Sequence, residues 1–475
     1  MNGTPSQDTG EGSRAHQGSA AYLTWICIVA SLGGFLFGYD TAVISGTFES
    51  VEQQFALSKV EVGWFGSSAL LGCILGAAGA GWLGDRYGRK PVLIASGVFF
   101  FVSALYSAIP RTFAILVLAR ALGGLGVGMA SVLAPMFISE FSPPRIRGRL
   151  VALYQVSIGL GILTAYLMNF LLLEHSRATL AAGGGGGPLY TILIAEVWRG
   201  MFGMEMIPAA LFTLFLFFVP ESPRFLAKAG KAAKALAVLT RIDGARTASG
   251  VLLEIRTALD REEGTLRELL RPGLRKALLL ALGLAFFGQL TGVNAVIYYG
   301  PTILREAGLE SGSALLYQVA LGTIGLVFTL FAVTRMDTWG RRPLLVYGMV
   351  FVTLSMGATA VLMLLGAPAV WIVVLLGIYM ACLALSICSV IWVLTPEIFP
   401  NRVRGRGSSI ATFTTWTTNA TIAFAFPWYV DRFGMHAGFF TFAAICCIAT
   451  VFFWKMTPET RGKSLEEIEK LFMGG

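Results

Sequence analysis

The sequence predicts an all-α membrane protein of twelve transmembrane helices in two six-helix bundles. Three observations carry this: an apolar composition, twelve long apolar runs, and a chain that repeats itself. Of the 475 residues, 55% are hydrophobic and 13% charged, about half the charge of a soluble domain. Runs long enough to cross a ~30 Å core as helices lie near 21–48, 61–83, 91–109, 113–139, 150–173, 198–219, 276–299, 313–335, 343–365, 369–394, 407–430 and 436–456. They lack the apolar–polar alternation of a membrane barrel strand.

Charge orients these runs. Of the 36 Lys and Arg, six (Lys59, Arg111, Arg177, Arg199, Arg305 and Arg432) fall in loops on one side, and Arg120 lies within a span. The rest, Arg14 included, fall on the other side. Basic loops stay in the cytoplasm, so both termini are expected there, in a plasma (inner) membrane. The net charge of +9 then reports topology, and no nucleic-acid partner is expected. The polar start has no basic region of a signal peptide; residues 1–20 and 457–475 are expected to be cytoplasmic tails.

The repeat appears in three pairs of segments. "GDRYGRKP" (84–91) returns as "MDTWGRRP" (336–343), "EFSPPRIRGR" (140–149) as "EIFPNRVRGR" (397–406), and "PESPR" (220–224) as "PETRG" (458–462). All sit at basic helix ends and keep their order. The chain therefore divides into bundles 21–220 and 276–456, joined by a linker, 221–275, whose apolar spacing predicts short amphipathic helices. Parallel repeats of this kind are a transporter plan, with the substrate near the midplane between halves.

Charge inside a span needs a partner or a task, because it costs about 2.5–3.5 kcal/mol at a helix centre. Asp40, in "FGYDTAVISG", has no cation between Arg14 and Lys59 in the chain. At 1.5 Å per residue, Asp40, Arg120 and Glu205 lie roughly 9, 7.5 and 6 Å outward of their span centres. The shared depth predicts one cluster. "RALGGLGVG" (120–128) follows no strand and lacks the Lys-Ser/Thr closure of a phosphate loop; its small residues instead allow close helix packing, as do those of "LGCILG" (71–76). The six cysteines fall in spans, and the three histidines (His16, His175, His436) are scattered. Neither metal nor cofactor is expected, and no nucleophile–base pair suggests an enzyme.

The paired "GDRYGRK" and "DTWGRRP", together with "PESPR", "PETRGKSLEE" and "QLTGVNAVIYYGP", resemble the sugar porter family of the major facilitator superfamily over nearly the whole chain. The resemblance implies the major facilitator fold and alternating access, with proton-coupled symport of a sugar or sugar-like polyol by a monomer. It implies a proton site at Asp40, where proton-coupled members carry aspartate, with Arg120 tuning it and Glu205 in support. Substrate contacts would fall on Phe37, Gln289, Asn294, Trp392, Thr415 and Trp416. Tyr298 and Tyr299 would gate the outer side. Asp85, Arg89, Glu140, Arg147 and Glu221, with Asp337, Arg341, Glu397, Arg404 and Glu459, would form the inner latch; solvated surface pairs are the alternative.

The chain also departs from the family pattern. Ile162, Gly288 and Gly325 stand where amides are usual, Thr415 replaces another, and Cys388-Ser389 replaces a Gly-Pro. Fewer hydrogen-bonding groups predict a deoxy, methylated or glycosidically substituted sugar rather than glucose or xylose. A carrier of another small polar organic compound is the alternative within the class, and a non-transporting sugar sensor the alternative outside it.

Overall fold

The computed structural model describes residues 18–143, 145–183, 185–259, 266–461 and 467, and no strand occurs among them. Most of the 1–20 tail and much of the 457–475 tail thus lie outside the described residues. The first half runs α1 (Ala20–Val43), α2 (Phe48–Phe55), α3 (Lys59–Tyr87), α4 (Arg89–Ala108), α5 (Phe113–Phe141), α6 (Arg147–Ala181), the single turn α7 (Pro188–Tyr190), α8 (Val197–Gly203) and α9 (Met206–Phe217). Short helices α10 (Pro223–Lys228), α11 (Ala232–Asp243) and α12 (Ala245–Leu259) follow. The second half runs α13 (Pro272–Leu290), α14 (Val293–Glu306), α15 (Ser311–Trp339), α16 (Arg341–Leu364), α17 (Ala369–Leu385), α18 (Ile387–Glu397), α19 (Asn401–Phe433) and α20 (Met435–Met456).

Among the described residues, eleven spans are long and apolar enough to cross a membrane. The remaining expected run, the eleventh, lies in α19, which has the length, 33 residues, but carries Ser408, Ser409, Thr414, Thr415, Thr417, Thr418, Asn419 and Thr421. A helix packed among other helices can hold such residues out of lipid. Three expected spans are not single helices. The sixth breaks between α8 and α9, at Met204–Glu205. The seventh breaks at Thr291–Gly292, where Gly292 takes φ +86°. The tenth breaks at Ser386 (φ −102°, ψ −110°), although the expected helix-breaking Gly-Pro is absent there.

Close approach of backbones organises the first half. A methyl group on Gly72 or Gly76 of α3 would strike the α5 backbone, and one on Gly124 or Gly128 of α5 would strike α3. Gly38 of α1 and Gly161 of α6 meet in the same way. With no hydrophobic effect between helices in lipid, dense packing at small residues carries association. Between the halves, α3 packs on α19 and α6 on α15. The repeat maps the second span to the eighth and the fifth to the eleventh, so these two interfaces are images of one another.

Beyond α9, Leu226, Ala235, Leu239, Ala248 and Leu252 of α10–α12 form a small core of their own. It is tied to α1: the Ser19 N–H donates to the Arg241 carbonyl at 3.0 Å, and the Arg241 guanidinium lies 3.7 Å from the Tyr22 ring centre.

The α3–α5 seam predicts that Gly124→Val lowers stability by at least ~1–3 kcal/mol, as overpacking does. Gly81→Val on the same α3, with nothing within 4 Å of the added carbon, should stay within about 0.5 kcal/mol. Thermal unfolding in detergent compares the two; equal effects would refute the seam.

Candidate functional site

Three elements bring the intramembrane charges together. Asp40 comes from the last turn of α1, Arg120 from α5 and Glu205 from the break before α9, and each is at most 2% exposed. Arg120 forms an ion pair with the Asp40 carboxylate, and its Nη2 donates to the Asp40 carbonyl at 3.0 Å. Below Asp40 the chain tightens into a 3₁₀ turn, Ile44–Gly46, and the Ile44 N–H turns to Ala42. The Asp40 carbonyl takes Arg120 as a donor. Phe202 presents its ring 5.2 Å from the guanidinium, and Glu205 is buried in the same cluster, close enough for its charge to act on both Asp40 and Arg120. Two carboxylates and one guanidinium sum to −1, and one added proton makes the cluster neutral.

At the basic end each half holds a related cluster. Arg89 pairs with Glu140 at 3.1 Å and Asp85 at 2.9 Å, while the Ser222 hydroxyl donates to Glu140. In the second half Arg341 pairs with Glu397 at 3.1 Å, and Thr460 donates to Glu397 at 2.8 Å. Glu221 and Glu459 act differently from the expected side-chain pairing. Glu221 accepts from the backbone N–H groups of Arg89 and Lys90 at 3.2 Å. Glu459 does the same for Arg341 and Arg342, also at 3.2 Å. Each carboxylate thereby caps a helix whose own cap residue is a glycine, Gly88 or Gly340, at φ +108° and +89°. A side chain there would collide with the capping carboxylate. Burial pushes the Glu221 carboxyl up from its ordinary value, against hydrogen bonds from Ser222, Lys90 and Arg89 and the Arg89 charge. Arg147 and Arg404 donate to the Ser142 and Phe399 carbonyls, both at 3.3 Å. The side chain of Asp337 lies outside the described residues.

The candidate substrate residues divide into two groups. Gln289 ends α13 and Asn294 opens α14; across the break the Asn294 amide donates to Gln289 at 2.5 Å. Phe37 and Trp416 meet across the halves, ring centres 5.4 Å apart. Thr415 and Trp392 stand apart: the Thr415 hydroxyl bonds back to the Ala411 carbonyl at 3.0 Å, and Trp392 is 44% exposed. Around the departures the surface is apolar. Gly288 faces Ile387 and Ile391 of α18, and Gly325 faces Met380 of α17.

The end opposite the basic clusters is sealed between halves. The Phe48 ring of the first half lies 4.5 Å from the Tyr299 ring of the second, and within the second half Tyr299 donates to the Ala423 carbonyl at 2.9 Å while Tyr298 accepts from Asn419 at 3.1 Å, which fixes both tyrosines against α19. Toward the basic end an open recess of about 420 Å³ lies between α3 and α19, lined by Ala78, Gly405, Ser409, Ile410 and Phe413, among others. Sequence reasoning missed an ion pair that crosses the sealed end, Glu49 on α2 with Arg305 on α14. Its signal was present: Arg305 is one of six cations on that side, and Glu49 starts an amphipathic eight-residue helix.

Two related six-span halves, charged motifs at one end and a buried ion cluster define a multi-pass membrane transporter of the major facilitator type. The chain belongs to the family described as "Sugar (and other) transporter", whose model matches residues 26–472. It is 38% identical to an arabinose-proton symporter of Bacillus subtilis over 97% of both chains. It is 35% identical to the D-xylose-proton symporter of Escherichia coli, over 96% of this chain and 97% of that one. Among solved structures it superposes on the E. coli xylose transporter in a partially occluded inward-open conformation with a TM-score of 0.82, 34% identity, and coverage of 94% of this chain and 100% of that chain.

The sealed-end pair predicts that Glu49→Lys, which sets like charges face to face, slows transport several-fold. The swap Glu49→Lys with Arg305→Glu should recover most of the rate. Uptake into vesicles measures both; a swap as slow as the single variant would remove the pair from the gate.

Proposed function

We propose that this protein is a plasma-membrane symporter, monomeric and with both chain ends cytoplasmic, that moves a substituted sugar or related polyol together with a proton by alternating access. The observation that carries this reading is the Asp40–Arg120–Glu205 cluster, buried in the first half beside the gate tyrosines of the second. An ionised Asp40 satisfies Arg120; a protonated Asp40 loosens that pair and lets α1 move against α5. The proton therefore selects between packings, as an equilibrium-shifting ligand must. The basic end is the cytoplasmic one, by the bias of Lys and Arg toward that side. The open recess there and the seal opposite correspond to an inward-facing state. From that state, rejoining the basic ends of the halves would return the carrier to outward-facing, with the capped clusters of Arg89 and Arg341 as the surfaces that meet.

For the substrate, Gln289 and Asn294 supply amides at a helix break and Trp392 an exposed indole, groups suited to hydroxyls and to an apolar ring face. Ile162, Gly288, Ile387, Ile391 and Met380 offer no side-chain hydrogen bond. A hydroxyl buried against them unpaired costs roughly 1–3 kcal/mol, so a deoxy, methyl or glycosidic substituent fits better there. A halogenated deoxyglucose is held by the E. coli relative in one solved structure, a precedent for a substituted sugar in this fold.

Two outcomes test the reading. Asp40→Asn should abolish accumulation of labelled sugar against its gradient while retaining exchange across vesicles; full accumulation by that variant would refute the proton assignment. In a panel of sugars scored by thermal stabilisation, substituted sugars should outrank glucose and xylose. Ile162→Gln with Gly325→Asn should shift preference toward the plain monosaccharide by about tenfold, near 1.4 kcal/mol. Glucose or xylose ranking first for the native chain would overturn the substrate argument.

A further inference from the structure

Tyr298 belongs to the second half, yet it reaches the ion pair of the first. Between them lies a chamber of about 10 Å³, whose lining includes Asp40, Thr41, Cys73, Arg120 and Tyr298. That is room for about one water, and a buried water requires two to four polar partners. The chamber supplies a carboxylate, a guanidinium and a phenol. On its far side Tyr298 accepts a hydrogen bond from the Asn419 amide at 3.1 Å. That leaves the phenol's own proton free to point into the chamber, whose lining includes the Asp40 carboxylate.

We propose that one water in this chamber joins the Tyr298 hydroxyl to Asp40, so that the second half senses directly whether Asp40 carries a proton. The charge on Asp40 makes this a switch. With Asp40 ionised, the Asn419 N–H donates to the Tyr298 oxygen, the Tyr298 O–H donates to the water, and the water donates to the carboxylate. Every donor in that row meets an acceptor. When Asp40 gains a proton, its O–H can donate to the water, which still accepts from Tyr298 as well, but the water's own hydrogens lose the ionised carboxylate and a charge-assisted link becomes a neutral one. Protonation thus weakens a bond between the halves at the foot of the gating helix α14, on the side that must open to release the outer seal.

The other ionisable groups around Asp40 are Glu205 and Arg120, already in the cluster, with Tyr39 beside it on α1 and Cys73 across the chamber on α3. Of these, Asp40, Arg120 and Cys73 share the chamber with the phenol. Tyr39 is engaged elsewhere, its hydroxyl donating to the Met201 carbonyl at 3.4 Å. Tyr299, one residue on, points to Ala423 and does not line the chamber. Tyr298 is thus a positioning residue for the proton site, a role that rests on Asp40 being the group that titrates.

Infrared difference spectra of purified protein, recorded between acid and alkaline pH, test this. The Asp40 carboxyl C=O band is identified by its loss in Asp40→Asn. In Tyr298→Phe, which removes one oxygen and keeps the ring, that band should move to higher wavenumber; in Tyr299→Phe it should stay. A water O–H band that shifts in H₂¹⁸O should accompany the Asp40 band in the native protein and be lost in Tyr298→Phe. An Asp40 band unmoved by Tyr298→Phe, or the lack of an isotope-sensitive water band, would overturn the link while leaving Asp40 as proton carrier. A native spectrum without an Asp40 band would instead overturn the proton assignment, and the link with it.

Discussion

The fold depends on how a charge is kept out of lipid without being neutralised for good. An ion pair removed from water recovers its desolvation cost only with good geometry and further hydrogen bonds. Arg120 meets that condition through the Asp40 carboxylate, the Asp40 carbonyl and the Phe202 ring. Bringing these groups together requires α1 and α5 to approach at one depth and α8 to end where Glu205 can turn inward. The glycines of α3 and α5 follow from the same demand, since close backbones leave Arg120 nowhere to reach water. A cluster so enclosed is stable in either charge state only if something around it moves when the state changes.

What moves is set by the repeat. Each half ends its basic face in one device: a glycine-started helix capped by a distant glutamate, Glu221 on α4 and Glu459 on α16. A carboxylate at a helix N-terminus is worth typically ~0.3–1 kcal/mol, more when partly buried, and it fixes the chain leaving the bundle to the helix it caps. Each cap thus ties the exit of a half to that half. The two interfaces that join the halves, α3 with α19 and α6 with α15, are related by the repeat and can hinge as a matched pair. Closure at one end and a recess at the other follow from one rotation about that contact.

Much of this was legible in the sequence because membrane insertion leaves strong signals. Apolar run length gave the spans, Lys and Arg placement gave the basic end, and residue depth alone placed Asp40, Arg120 and Glu205 together. Gly288, Gly292, Gly300 and Pro301 marked the seventh span for interruption, and of these only Gly292 breaks it, while Gly300 and Pro301 lie inside α14. Other features left no local signal. The Ser386 break has no Gly or Pro at the site; the backbone there is held by tertiary packing, with Gly348 against the Ser386 side chain. The α19 run reads as a span from its length, while the packing that shelters its Thr and Asn residues leaves no mark in the sequence. Glu221 and Glu459 read as members of a charge network, whereas their partners are backbone N–H groups, which a sequence does not display. The Glu49–Arg305 pair depends on how the two halves meet, which neither half encodes alone.

The same distinction applies to the substrate side. Amides and indoles are conspicuous in a sequence, so Gln289, Asn294 and Trp392 stand out, whereas a missing amide is visible only as a glycine or an isoleucine. Structure gives those absences surroundings: Gly288 lies against Ile387 and Ile391, and Gly325 against Met380, so both losses have apolar neighbours. A site that recognises hydroxyls discriminates by the cost of leaving one unpaired. Amides at some positions and apolar groups at others therefore select a molecule with the same mixed character. The proton cluster lies in the first half, away from those glycines, so substrate preference can drift along α13, α15, α17 and α18 while the coupling machinery of α1, α5 and α9 stays intact.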